Sequence, residues 1–290
     1  MSDWKQPLRL VELLDKKGNI EHKGVDKLID VVQEAADLAD NLKCKEFLAF
    51  ATSAVRSAAN ADEVLARVEK KTDVRLRVLS GEEEARLTFL AARRWYGWSA
   101  GRITNLDIGG GSLEMSTGTE ESPDLAVSLD LGAGRLTHEW FDTDPPERKK
   151  INLLRDFIGA ELAQPAEKFK AMGQAGLAVG TSKTFRSLAR LTGAAPSSAG
   201  PHVKRTLTAP GLRQLIAFIS RMTAADRAEL EGINADRSHQ IVAGALVAEA
   251  AMRALSLDKL EICPWALREG VILKWIDQGH APGMNEGEDD

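Results

Sequence analysis

The chain has 290 residues, of which 43 are acidic and 38 basic, so its formal net charge is −5. Hydrophobic residues make up 43% of it and charged residues 28%, which is ordinary for a globular protein of one or two domains. These values exclude a chain that is disordered throughout, and the net charge argues against a nucleic-acid binder.

The cysteines and histidines indicate neither a metal centre nor a disulfide framework. Cys44 and Cys263 lie far apart, and the five histidines have no ligand spacing, so we expect a reducing, cytoplasmic location. The first residues contain no apolar segment of a signal peptide. The most apolar stretch, residues 241–255, is too short and too charged to span a membrane.

Hydrophobic periodicity defines the elements of the first hundred residues. Apolar residues recur at helical spacing in three segments, and Asn60 precedes the second as a candidate N-cap. Two shorter segments show an apolar run or strict alternation, as strands do. The patterns predict helices over 24–42, over 60–71 and from Ser80, and strands over 46–50 and 74–78.

The remaining chain alternates strands with helices, which predicts an α/β fold. Two strands are followed by glycine-containing turns, at residues 109–111 and 180–184. We place a domain boundary near residue 101, giving domains over 1–101 and 102–278, and we expect an acidic, disordered tail over 279–290. The predicted strands are 103–108, 113–116, 177–179 and 259–263, and the predicted helices are 149–171, 209–222, 238–256 and one from Phe185.

The most informative motif is the run from Leu106 to Glu114, which contains Gly109, Gly110 and Gly111. Three glycines after a strand allow positive φ, so that consecutive N–H groups can converge on an anion. Asp107 ends the strand, where a carboxylate can hold hydrated Mg²⁺, and Ser112 and Glu114 share one face of the return strand. The alternative interpretation is a glycine-rich hairpin flanked by acids.

Four segments together resemble the Ppx/GppA family of exopolyphosphatases and guanosine pentaphosphate phosphohydrolases. They are Ala51–Arg56, Ser80–Arg86, Leu106–Glu114 and Trp265–Val271, and they occur in the family's order. The chain is most similar to the short, actinobacterial type of exopolyphosphatase. The resemblance implies two ribonuclease H-like domains of the actin/Hsp70/sugar kinase superfamily and Mg²⁺-dependent release of terminal phosphate from polyphosphate, with Mn²⁺ as an alternative metal.

The resemblance also implies roles for individual residues. Glu84 matches the catalytic carboxylate that orients the attacking water, although three acids at a helix start are ordinarily a solvated face. Glu114 matches a second acid that assists the water or the metal, and Asp107 matches the metal-binding acid. Gly109 to Ser112 would hold the phosphoryl group through backbone N–H donors. Arg56 matches an arginine that contacts substrate phosphates, although such an arginine is more often a surface residue.

The turn from Gly180 to Thr184 resembles a later family turn but departs from its Gly-Gly-Thr form. Gly180, Thr181 and Lys183 either hold a distal phosphate or form a plain helix start. Lys204, Arg205, Arg186 and Arg190 either line a groove for a polyanion or are scattered surface charges. Trp265 to Val271 is interpreted as structural packing, with Arg268 paired to Glu269.

One departure from the family pattern concerns the first residues. Family members begin with a phosphate loop of the form Asp-x-Gly-Ser-Asn-Ser/Thr, which this sequence does not contain, so its first domain resembles a truncated one. We hypothesise that Met1 is internal in the cellular protein. The alternatives to polyphosphate hydrolysis are guanosine pentaphosphate hydrolysis, an inactive module that binds polyphosphate or an alarmone, and an ATP-dependent sugar kinase activity. We expect a homodimer because homodimers are common among soluble enzymes.

Overall fold

In the computed structural model, residue 4 and residues 6–15 and 17–280 are described. The chain forms two compact units, one ending at Ser80 and one beginning at Gly81. This division lies before the boundary expected near residue 101, because helix α4 (Gly81–Tyr96) packs on strands of the later unit. The two family-type domains over 1–101 and 102–278 stay a prediction. The acidic tail lies outside the described residues from position 281.

The first unit packs two long helices against each other beside a small parallel sheet. Buried Val25, Leu28 and Val32 on one helix meet Val64 and Val68 on the other, as the helical spacing requires. The elements are α1 (His22–Asn41), β1 (Phe50–Ala51), α2 (Ser53–Arg56), α3 (Ala61–Thr72) and β2 (Arg77–Val78), with a 3₁₀ turn at Leu10–Leu13.

Both strands of this unit are shorter than predicted. Only Phe50–Ala51 and Arg77–Val78 pair with each other, so backbone hydrogen bonding limits the sheet to this length. Phe47 and Leu48, which the apolar run placed in a buried strand, are 43% and 44% exposed. Asn60 stands at the predicted N-cap of α3, but its side chain instead pairs with the backbone of Ile20, at 2.8 and 3.1 Å.

The second unit is built on a six-stranded mixed sheet with helices on both faces. The strand order is β5-β4-β3-β6-β8-β7; β3, β6 and β8 are parallel, and β4, β5 and β7 run antiparallel to their neighbours. The strands are β3 (Ile103–Ile108), β4 (Leu113–Gly118), β5 (Leu125–Leu129), β6 (Leu177–Gly180), β7 (Thr206–Thr208) and β8 (Lys259–Ile262). The helices after α4 are α5 (Ala133–Trp140), α6 (Arg148–Ala171), α7 (Lys183–Leu191), α8 (Ala209–Ile219), α9 (Ala224–Ala228), α10 (Ile241–Ala254) and α11 (Leu267–Trp275).

The two faces of the sheet carry different layers. Leu106, Ile108, Leu113 and Met115 point into the main core with α5, α6 and α10, while α4 covers the face that carries the intervening residues. The strands predicted at 103–108, 113–116, 177–179 and 259–263 and the helices predicted at 149–171, 209–222 and 238–256 are confirmed, the last beginning with a 3₁₀ turn at Ala235–Gln240. Strands β5 and β7 and the short helices α5 and α9 were not predicted.

Helix α11 contains most of the segment predicted to serve packing, and it lies directly against α4. A Cβ atom at Gly270 would come 2.0 Å from the carbonyl oxygen of Leu87, so only glycine allows this approach. Arg268 pairs with Glu269 at 2.9 Å, as expected from the sequence. No helix among the described residues has the length and apolar character needed to cross a membrane.

Arg227 is only 1% exposed and links the segment after α8 to the 3₁₀ turn before α10. Its guanidinium donates to the carbonyls of Ser238, Ile219 and Met222 at 2.9, 3.2 and 2.6 Å. It also forms an ion pair with Asp144 at 2.7 Å. The buried Arg227 side chain therefore connects the 3₁₀ turn at Ala235–Gln240 to the chain after α8.

Candidate active site

The hairpin of β3 and β4 brings two carboxylates together. Asp107 and Glu114 are directly opposite each other across the antiparallel pair, so their side chains leave the same face of the sheet. Helix α4 covers that face and places Glu84 there from its first turn. Glu84 and Glu114 are only 7% and 4% exposed. Glu84 is thus buried and not part of a solvated helix start.

Asp107 is held by a threonine that directly follows β6, the next parallel strand. The Thr181 hydroxyl, fully buried, donates to Asp107 Oδ2 at 2.6 Å. Burial raises the pKa of Asp107, while this hydrogen bond and the charges of Arg186 and Arg237 oppose the rise. The carboxylate is therefore oriented by Thr181 and lies within the field of two arginines.

Glu114 is strongly perturbed by its surroundings. Its pKa is raised to about 8, mainly by burial and in addition by the negative charges of Asp107 and Glu84. Hydrogen bonds from Ser112 and Ser128 act in the opposite direction, the latter at 2.9 Å. Perturbed carboxylates packed this closely are typical of catalytic sites.

Without divalent metal, the free energy of unfolding of the protein should fall as the pH rises from about 5 to about 8. Unfolded, Glu114 loses its proton near pH 4.5; folded, it keeps the proton until about pH 8. The folded state therefore binds more protons in this window, and the free energy of unfolding decreases with rising pH. In Glu114→Gln the decrease should be smaller, as measured by the Tm from about pH 5 to about pH 8 in EDTA. The control is Glu82→Gln, an exposed acid paired with Arg86. Equal slopes for Glu114→Gln and the wild type would contradict the assignment.

The loop of Gly109–Gly111 is anchored to the N-terminus of α5 through its carbonyl groups. The carbonyl of Gly109 accepts from the Ala133 N–H at 3.0 Å, and that of Gly110 accepts from the Arg135 N–H at 2.9 Å. The carbonyl of Gly111 accepts from Arg135 Nε at 3.1 Å. All three carbonyls thus point to the face of the sheet that α5 covers.

This anchoring fixes the direction of the loop's N–H groups. In a trans peptide the C=O and the following N–H point in opposite directions, and these peptides are trans. The N–H groups of Gly110, Gly111 and Ser112 therefore point away from α5, towards the face with Asp107 and Glu114. Successive N–H groups on one side form a concave anion site.

Two details of the loop differ from the prediction. None of the three glycines has a positive φ, and the N–H of Gly109 donates to the Ser112 carbonyl at 2.9 Å, so it is not available to a phosphoryl group. A Cβ atom at Gly110 would meet no atom within 4 Å, and one at Gly109 would meet only the Ser112 carbonyl oxygen at 3.5 Å, so crowding does not require glycine at these two positions. The close approach of the loop to α5 instead requires a glycine at the start of that helix. A Cβ atom at Gly132 would lie 2.2 Å from the carbonyl carbon of Gly111.

The second glycine turn supports the site through Thr181. The Thr181 N–H donates to the Leu106 carbonyl at 3.1 Å and its hydroxyl donates to Asp107, so Thr181 orients that carboxylate. Substrate contacts by Gly180 and Thr181 stay predictions. Gly180 is paired with β8, and a Cβ atom there would come 2.7 Å from the Phe185 ring. Helix α7 starts two residues earlier than predicted, with Ser182 as N-cap, and Lys183 is exposed. A phosphate contact by Lys183 stays a prediction.

Arg56 belongs to the first unit. Its guanidinium donates to the carbonyl of Leu79 at 2.7 Å, which holds the chain just before α4. Its contact with substrate phosphates stays a prediction.

Of the four basic residues considered for a polyanion groove, only Arg186 reaches the carboxylates. Arg205 donates to four loop carbonyls, Lys204 pairs with Glu261 at 2.5 Å, and Arg190 pairs with Glu231. Arg237 joins Arg186 beside Asp107, and the nearness of the two cations contributes to a lowered Arg237 pKa, for which burial is the main cause. Sequence reasoning missed Arg237 because no pattern marks its 3₁₀ turn. It also missed Ser128, although a serine alternating with apolar residues in β5 signals one face of a strand.

The sequence matches the profile of the Ppx/GppA phosphatase family over residues 1–279. The chain belongs to this family.

Individual relatives agree with this membership. Exopolyphosphatase 1 of Mycobacterium tuberculosis is 65% identical over 277 residues, covering 96% of this chain and 80% of the relative. Exopolyphosphatase 1 of Mycobacterium leprae is 62% identical, covering 96% and 82%. The crystal structure of the Ppx/GppA family member of Aquifex aeolicus superposes with a TM-score of 0.74 at 25% identity, covering 94% of this chain and 87% of that one. The expected actin-like α/β fold is confirmed.

Proposed function

We propose that this chain is an exopolyphosphatase that releases the terminal phosphate of inorganic polyphosphate. The observation that carries the proposal is the row of N–H donors at Gly110, Gly111 and Ser112, facing the side of the sheet on which Glu84, Asp107 and Glu114 are gathered. Donors for a phosphoryl group beside buried carboxylates suit attack by water on phosphorus. The names of the two mycobacterial relatives support polyphosphate as the substrate.

In the proposed reaction, Glu84 orients a water molecule and accepts its proton as the oxygen attacks the terminal phosphorus. The P–O–P bond to the next phosphate breaks, which yields orthophosphate and a polyphosphate shorter by one unit. The N–H groups of Gly111 and Ser112 hold the equatorial oxygens. Arg186 and Arg237 would attract the negative charge of the chain.

The donor set fits a bound Mg²⁺. Asp107 and Glu114 face each other, and each raises the cost of charging the other, a repulsion that a divalent cation would remove. Among the described residues no group of three or more His, Cys, Asp or Glu is arranged for a metal, so phosphate and water oxygens would complete the ligands. When bound, the ion would neutralise phosphate charge. Mn²⁺ is an alternative, and the identity of the metal is part of the proposal.

Phosphate release from polyphosphate tests this function. We expect release with Mg²⁺, none with EDTA, and a lower rate with guanosine pentaphosphate. Faster release from guanosine pentaphosphate would favour that substrate instead. Binding of polyphosphate without release would favour the inactive module, and ATP consumption that requires an added acceptor would favour a kinase. A homodimer and a cytoplasmic location stay predictions; both cysteines are free, Cys44 exposed and Cys263 buried.

A further inference from the structure

Arg135 contacts the loop of Gly109–Gly111 from the side that α5 covers, opposite to the side with the carboxylates. It is the third residue of α5, and its backbone N–H and its side chain bond to successive loop carbonyls, those of Gly110 and Gly111. Its other guanidinium nitrogens lie 3.4 Å from Asp130 and 4.0 Å from Glu139. The side chain is thus held between two acids with its Nε directed at the loop.

The two bonds of Arg135 differ in what a substitution can remove. The backbone bond to Gly110 persists in any variant that keeps α5, as does the bond from Ala133 to Gly109. The hydrogen bond to the peptide between Gly111 and Ser112 comes from Nε, at 3.1 Å, and the backbone of Gly132 packs beside that peptide. Without the Nε bond the packing alone orients the peptide, and the Ser112 N–H is less sharply directed.

We propose that Arg135 is a positioning residue of the phosphate loop, whose side chain aims the Ser112 N–H at the bound phosphoryl group. This rests on the proposed function of the same site. Arg135 itself does not touch the substrate, because its guanidinium lies on the α5 side of the loop, across the sheet from Asp107 and Glu114. Its contribution comes through the dipole of one peptide group.

This arrangement predicts weaker phosphate binding in Arg135→Ala. Loss of one well-aimed N–H donor to an anion should raise the dissociation constant of inorganic phosphate, measured by calorimetry, by about tenfold to a hundredfold. The kcat for polyphosphate should fall by a similar factor, because the donor also serves the transition state. Added guanidinium ion should restore part of the activity, which a purely structural role would not allow.

The matched control is Arg155→Ala, which removes a partly exposed arginine from α6 that pairs with Glu249 at 3.6 Å. Arg135→Lys keeps the helix and the positive charge but has no Nε donor, so it should bind phosphate as weakly as Arg135→Ala. If either Arg135 variant binds phosphate within about twofold of the control, the proposal is overturned. If Arg135→Ala does not fold, Arg135→Lys decides. Phosphate binding by the wild type without polyphosphate hydrolysis would reject the proposed function and leave this proposal standing.

Discussion

Glu84→Gln should lower kcat for phosphate release from polyphosphate by at least about a hundredfold, the usual contribution of a general base. The amide has the shape of the carboxylate but cannot accept a proton. Because Glu84 is 7% exposed and lies within the field of Glu114, its replacement by a neutral group should leave the fold intact and lower the pKa of Glu114. The measurement is steady-state phosphate release with saturating Mg²⁺.

The matched control for Glu84 is Glu82→Gln, in the same turn of α4. Its side chain is 58% exposed and pairs with Arg86 at 2.7 Å, so the substitution changes the charge of the helix start by the same amount without entering the site. We expect near wild-type kcat for it. More than a tenth of wild-type kcat in Glu84→Gln would exclude Glu84 as the base.

The largest effect on stability is expected from Arg227→Met. The substitution removes the guanidinium donor from the carbonyls of Ser238 and Met222 in a region where Arg227 itself is 1% exposed, each at a cost of about 1–3 kcal/mol, while the Ile219 carbonyl keeps the Met222 N–H. A loss of at least about 2 kcal/mol follows, or about 4–8 °C in Tm for a unit of this size. Thermal unfolding at neutral pH measures it.

Arg205→Met is the comparison for this loss. Arg205 donates to four carbonyls, against three for Arg227, but on an exposed loop where water replaces the lost donors, so its cost should stay near 1 kcal/mol or about 3 °C. Equal Tm values for the two variants would show that burial of Arg227 contributes nothing. Since Ser238 adjoins Arg237, Arg227→Met should also raise KM for polyphosphate.

The β3–β4 hairpin could be predicted closely because both strands are central and show clear apolar patterns. Asp107 and Glu114 followed from it, since a hairpin of known register brings such residues opposite each other. Helix α4 was also evident, but its sequence gave no sign that Glu84 is buried, because three consecutive acids are usual at an exposed helix start. For Glu84 the family resemblance was required.

Other features depend on contacts between distant segments, which no local pattern shows. The strand expected over 46–50 is mostly absent because strand formation depends on a partner, and β2 provides only two residues. Thr181 reaches Asp107 from the turn after β6, more than seventy positions later. The glycines of the loop were expected to serve positive φ, which none of them has, whereas the position that only glycine can fill is Gly132, where α5 begins against the loop.

The anchored carbonyls of Gly109–Gly111 have a thermodynamic consequence. Fixing the backbone of one flexible residue costs about 1–2 kcal/mol of conformational entropy. A free glycine loop would lose this entropy for several residues each time it closed around an anion. Here the bonds to α5 order the loop when the protein folds. Binding of a phosphoryl group therefore needs little further ordering of the loop, and more of the contact free energy contributes to affinity.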